Sequence, residues 1–125
     1  MATHRRLVVT DRYAITITSV SLKQDPTALD KQEGCVKFDC RELNNPHNVP
    51  SLRGQMGTSD VIIAFVQASP KFVALWSKVK TLLDRYLEKG GEVDIRFVCV
   101  GGKHRSVALT ELAFQYLLKC QVEYL

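Results

Sequence analysis

Apolar and polar residues alternate along AITITSV, placing Ile15 and Ile17 on one face of a strand and Thr16 and Thr18 on the other. With RRLVV and the polar TDRY before it, this stretch predicts strand, turn, strand, with one face half solvated or at an edge. A second alternation follows in VKFDC, where Val36, Phe38 and Cys40 oppose Lys37, Asp39 and Arg41. The period then changes to three and four. Thr58 or Ser59 caps a short helix through Ala68, and Ser69 with Pro70 starts a second one, with cap and proline in their preferred places. Its stripe of Phe72, Leu75, Trp76, Val79, Leu82, Leu83 and Tyr86 is core, so packing accounts for the one Trp, and Gly90 with Gly91 stops the helix. EVDIRFVCV turns wholly apolar, as a buried central strand of a parallel sheet does. Beyond it, Leu109, Leu112, Ala113, Tyr116, Leu117 and Cys120 line one face of a final helix. The connections are a polar loop from Asp25 to Gly34 with one helical turn, and the long loop RELNNPHNVPSLRGQMG, whose prolines, asparagines and glycines disfavour any regular element. This order predicts an α/β fold, a three-layer domain with a mostly parallel central sheet, spanning residues 1–125 as a single domain.

Composition narrows the class. A chain of 125 residues that is 46% hydrophobic can bury a core without metal or disulfide staples. Seventeen Lys and Arg against thirteen Asp and Glu leave a net charge of +4, which eases attraction to phosphate-bearing partners. No apolar run is long enough to cross a membrane, and MATHRRLVVTDRY lacks the pattern of a secretory leader, so a cytoplasmic protein without a membrane partner is expected. Cysteines at 35, 40, 99 and 120 show no spacing of a zinc or redox motif. Reduced thiols, no metal and no cofactor are the expectation; Cys35 and Cys40 should face opposite sides of a sheet and not bridge.

The chemistry concentrates in CVGGKHRS, residues 99–106, between the last strand and the last helix. Ligands of such sheets sit beyond the carboxyl ends of the strands. Gly101 and Gly102 permit a sharp turn, and the free amides of the next helix favour an anion. Arg105 can fork onto two phosphate oxygens, Lys103 adds a point charge, Ser106 a hydroxyl, and His104 a proton or a donor. Positive charge at a helix N-terminus opposes the dipole by about 0.3–1 kcal/mol per group unless an anion compensates it, which argues against a merely solvated turn. FDCRELNNPH leaves another strand at its carboxyl end, so Asp39, Arg41, Asn45 and His47 are supporting candidates for the same crevice. Asp39 and Arg41 fit equally well as a structural ion pair.

Two family resemblances attach to these residues. Cysteine, five residues, arginine and serine from Cys99 to Ser106 resemble the phosphate loop of tyrosine and dual-specificity phosphatases, which would make Cys99 the nucleophile and Arg105 the oxygen clamp. That family usually has histidine before the cysteine, where this chain has Val98, and no loop bearing its acidic aspartate is recognisable upstream. The two blocks FDCRELNNPHNVPSLRGQMG and VCVGGKHRSVALTELAFQYL together resemble the C-terminal domain of the RapZ RNase adapter family, over roughly residues 15–118. That resemblance implies binding of a phosphorylated amino sugar, glucosamine 6-phosphate, and of small regulatory RNAs, and it implies self-association into a homo-oligomer. It places phosphate contacts at Gly101, Gly102, His104 and Arg105, with His47 reaching in. Val100 stands where that family has threonine, and neither its P-loop nucleotide-binding domain nor its basic tail after QVEYL has a counterpart in the sequence.

The expected function is therefore a phosphate-recognising module for a sugar phosphate or nucleotide, with a regulatory or adapter role. An RNA-binding adapter and a cysteine-dependent phosphatase are the alternatives.

Overall fold

The computed structural model describes residues 4–123, with side chains as far as Gln121. The terminal residues that bear on a leader and a basic tail, 1–3 and 124–125, lie outside the described residues. Strands β1 (His4–Val9) and β2 (Tyr13–Ser21) form an antiparallel hairpin, and β3 (Cys35–Asp39) and β4 (Gly91–Cys99) complete a four-stranded mixed sheet in the order β1-β2-β4-β3. β4 runs parallel to both its neighbours, pairing Ile95 with Ile17 on one side and with Val36 on the other. The wholly apolar end of EVDIRFVCV is thus the interior strand that its pattern predicts.

Alternation sends Ile15, Ile17, Val93, Ile95 and Phe97 to one face, where they share a core with Ile62, Val66, Val79, Leu83, Leu109, Ala113 and Leu117. Those partners belong to α2 (Asp60–Gln67), α3 (Phe72–Lys89) and α4 (Arg105–Glu123); the short α1 (Pro50–Arg53) adds Leu52. All four helices therefore serve one face. The other face is covered by the connection from β2 to β3, which crosses β4 and sets Ala28 and Leu29 against Val20 and Val98. This corrects the three-layer expectation. Among the described residues the fold is a two-layer α/β arrangement, because Asp25, Pro26 and Gly34 turn that connection into successive turns rather than a helix.

Two local expectations also shift. The long loop after β3 holds a 3-10 turn at Pro46–Asn48 as well as α1, each opening on a proline that needs no hydrogen-bond partner for its nitrogen. Ser59 caps α2 as expected, accepting from the Ile62 N–H. Ser69 does not cap α3: that helix begins at Phe72, and the buried Ser69 hydroxyl donates to the Val66 carbonyl at 2.6 Å while accepting from the Asn44 N–H at 2.6 Å. In α3 Trp76 stacks on Phe72 and meets Tyr116 edge-on, a packing role as its spacing implies.

Candidate functional site

β2, β3 and β4 all end on the same side of the sheet. The chain leaving β2 crosses one face, whereas the chain leaving β4 enters α4 on the other, so the two connections diverge between adjacent parallel strands. Such a divergence opens a crevice at the carboxyl ends. Here it is a cleft of about 460 Å³ lined by Lys23, Asn45, His47, Arg53, Cys99, Val100, Gly101, Lys103, His104 and Arg105. Four Lys and Arg and two His face it, and none of its lining residues is acidic.

The loop from β4 to α4 is held from below. Gly102 has φ +66°, and a Cβ there would lie 2.8 Å from that of Ser21 on the neighbouring strand. The Gly102 N–H donates to the Cys99 sulfur at 3.2 Å, and the Cys99 thiol donates to Ser106 Oγ at 3.1 Å. Gly102 and Ser106, both expected at the phosphate, thus lie beneath the loop and do not line the cleft, with Ser106 fully buried. Ser21 Oγ donates to the Val100 carbonyl at 3.0 Å, and the Lys23 N–H to the same oxygen at 3.2 Å, which brings Lys23 to the rim.

The opposite wall is stitched to the loop through main-chain carbonyls. Lys103 Nζ donates to Arg53 O at 3.0 Å, His104 Nε2 to Gln55 O at 2.9 Å, and Arg105 Nη1 to Arg41 O at 2.6 Å. Arg53 Nε donates to His47 O at 2.8 Å, and Asn45 Oδ1 accepts from the His47 N–H, fixing the 3-10 turn. Gly57 lets the chains meet: a Cβ there would lie 2.7 Å from Lys103 O and 2.8 Å from His104 O. Burial pushes the His104 imidazole below its usual value near 6.5, only partly offset by the bond to Gln55, so it is a neutral ring with its Nε2 proton directed at a carbonyl.

Of the residues singled out in the sequence, Gly101, Lys103, His104, Arg105, Asn45 and His47 line the cleft together with Cys99. Asp39 and Arg41 do not line it; they form an exposed ion pair with each other, N to O 2.7 Å, and only the Arg41 carbonyl reaches Arg105. That pairing, through the Arg41 hydrogen bond first, holds the Asp39 carboxyl below its usual range. Three contributors escaped sequence reasoning. Arg53 and Gly57 sit inside the LRGQMG end of a block already singled out, so a signal existed; Lys23 has none, since only the β2–β4 register brings it there. A larger cleft of about 1170 Å³ lies at the opposite end of the sheet, where Asp11, Asp84 and Glu88 line it and no basic cluster converges. Among the described residues no three His, Cys, Asp or Glu side chains gather to hold a metal, and no helix is long and apolar enough to cross a membrane.

Comparison with known proteins identifies the family. The family model for the RapZ C-terminal domain matches residues 13–124. A nucleotide-binding protein of Ruegeria pomeroyi is 39% identical over 104 residues, covering 78% of this chain and 35% of that protein. Proteins of the same name from Cereibacter sphaeroides, at 36% identity over 81% of this chain and 34% of that one, and Acidiphilium cryptum, at 34% over 86% and 38%, are similar. The chain spans little more than a third of the length of these relatives.

Proposed function

Because the chain belongs to the RapZ C-terminal domain family, we propose that it binds the phosphate of a small phosphorylated metabolite, a sugar phosphate or a nucleotide, and acts as a regulatory or adapter module. The observation that carries this reading is the cleft itself: four Lys and Arg and two His, no acid, at the divergence of β2 and β4. Phosphate oxygens are the strongest complement to that set, since charge-assisted hydrogen bonds are about twice as strong as neutral ones. Gly101 leaves the backbone open to close approach, and Lys103 and Arg53 stand exposed at the mouth. The name nucleotide-binding protein carried by the relatives is in keeping with a phosphorylated ligand.

Thermal unfolding with inorganic phosphate, sugar phosphates and nucleotides tests the reading on the wild type and on Lys103→Ala. A ligand at 100 times its dissociation constant adds about 2.7 kcal/mol, a shift of several degrees for a chain of this size. The shift should shrink in the variant. Silence across the panel would overturn the reading in favour of RNA, whose many phosphate contacts give a steep dependence of affinity on salt where one pocketed ligand gives a shallow one.

A further inference from the structure

Phe38 of β3 pairs with Phe97 of β4 in parallel register, and their rings stack at a centroid distance of 5.5 Å. Side chains alternate along a strand, so the next residues on that same face are Cys40 and Cys99. The ladder reaches them: Asp39 pairs with Val98, and the Cys40 N–H donates to the Val98 carbonyl at 2.8 Å. Both side chains enter the core beneath the helices, Cys40 wholly buried and Cys99 2% exposed. Far apart in the chain, they are in-register neighbours on adjacent strands. Such strands lie about 4.8 Å apart, and a disulfide joins Cα atoms about 4.4–6.8 Å apart. The other two cysteines are placed elsewhere: the Cys35 thiol donates to Asp94 at 3.4 Å, and Cys120 lines the cleft at the opposite end of the sheet.

The two thiols differ in access and in partners. Cys99 lines the basic cleft, donates to Ser106 Oγ at 3.1 Å and accepts from the Gly102 N–H at 3.2 Å. Cys40 is closed off from solvent and directs its thiol at the Phe38 carbonyl, 3.8 Å away. Burial first, and the Cys99 sulfur second, push the Cys40 thiol well above its ordinary value near 9, so it stays protonated. A reagent that enters the cleft therefore meets Cys99, with Cys40 behind it as the resolving partner.

We propose that Cys40 and Cys99 form a reversible disulfide, with a peroxide as the oxidant, that ties the loop from β4 to α4 to thiol redox state. Hydrogen peroxide transfers one oxygen to the Cys99 sulfur, giving a sulfenic acid and water. The Cys40 sulfur then attacks that of Cys99: the S–S bond forms, the S–O bond breaks, and the hydroxyl leaves with the Cys40 proton as a second water. The two sulfurs together give up two electrons, and the peroxide takes both. A linked Cys99 has no proton for Ser106, and turning its sulfur toward β3 withdraws the acceptor from the Gly102 N–H. The loop that carries Gly101, Lys103, His104 and Arg105 thereby loses two bonds beneath it. Oxidation should weaken anion binding, a consequence that rests on the phosphate-binding reading of the cleft.

Tryptic mapping without reductant, after treating the full chain with hydrogen peroxide at neutral pH, tests the proposal. Cleavage at Lys37, Arg41, Arg96 and Lys103 puts the two cysteines in separate peptides, FDCR and FVCVGGK. These should appear joined, lighter than their sum by the two thiol hydrogens, and a dithiol should part them. Cys40→Ala should abolish the joined peptides and leave a sulfenic acid on Cys99 for dimedone to trap; Cys99→Ser should abolish both signals. The Tm shift given by sugar phosphates and nucleotides should shrink in the oxidised wild type and recover with the dithiol. Absence of the joined peptides, or links from Cys35 or Cys120 in equal amount, would overturn the proposal whatever the ligands do. Joined peptides with an undiminished Tm shift would overturn the tie to the cleft. Absence of any shift in the reduced protein would overturn the phosphate reading alone, since the mapping needs no ligand.

Discussion

An alanine at position 102 would have to adopt φ +66° with its Cβ 2.8 Å from that of Ser21, so both backbone and packing resist it. Gly102→Ala should cost about 2 kcal/mol or more in a denaturant titration, the left-handed conformation alone accounting for 1–2 of it. Gly101→Ala, where nothing lies within 4 Å, should stay within about 0.5 kcal/mol of wild type. The sequence presents these two glycines as equivalent, and only the neighbouring strand distinguishes them. Cys99→Ser should keep the loop and its phosphate binding, because a hydroxyl can still donate to Ser106 and accept from the Gly102 N–H. His104 has a depressed folded pKa, so its sign is opposite to that of a histidine gaining a carboxylate. Between the folded value and about 6.5 the unfolded chain binds the extra proton, and stability falls as pH drops through that window. His104→Gln, which keeps a donor for Gln55 without a titrating ring, should lose less stability than wild type between pH 7 and pH 5.

Secondary-structure elements were legible wherever period and punctuation agree. β2, β4 and the Ser59 cap of α2 fall where alternation and capping chemistry put them, and α3 ends at Gly90. The Ser69-Pro70 pair misleads because a hydroxyl has two uses, and here tertiary structure claims it to tie the junction of α2 and α3 to the loop after β3. Ser69→Ala should cost about 1–3 kcal/mol by stranding the Asn44 N–H. α4 departs from its one-sided stripe, since Glu111 lies buried on the side facing β1. Arg6 grips both its oxygens at 2.7 and 2.8 Å and His4 adds a third contact at 2.9 Å. The Arg6 hydrogen bond, followed by that of His4, holds the Glu111 carboxyl below its usual value near 4.5. Its contribution is complete above that value and is lost as pH falls through the folded pKa. Glu111→Gln should cost about 1 kcal/mol at neutral pH, the low end for bonds to a charged group because Arg6 is partly exposed. Faster amide exchange along β1 should accompany it, and the gap to wild type should close in acid.

For the whole molecule, four of the 17 Lys and Arg line one cleft that no acidic residue lines. Replacing Lys23 and Lys103 together by Gln should leave unliganded stability within about 0.5 kcal/mol of wild type, both side chains being exposed. The same change should cut the stabilisation by a phosphorylated ligand, read as the shift in Tm at fixed concentration. The amino-acid sequence by itself determined the α/β class, the interior place of β4 and the basic glycine turn, because period, apolarity and turn chemistry are local properties. It also carried the family blocks, as both lie in continuous stretches. Tertiary structure alone decided that all helices pack on one face, that Asp39 and Arg41 pair with each other away from the cleft, and that Lys23 joins it. Those outcomes depend on strand register and on which face each connection crosses, and both are settled by contacts between residues far apart in the chain.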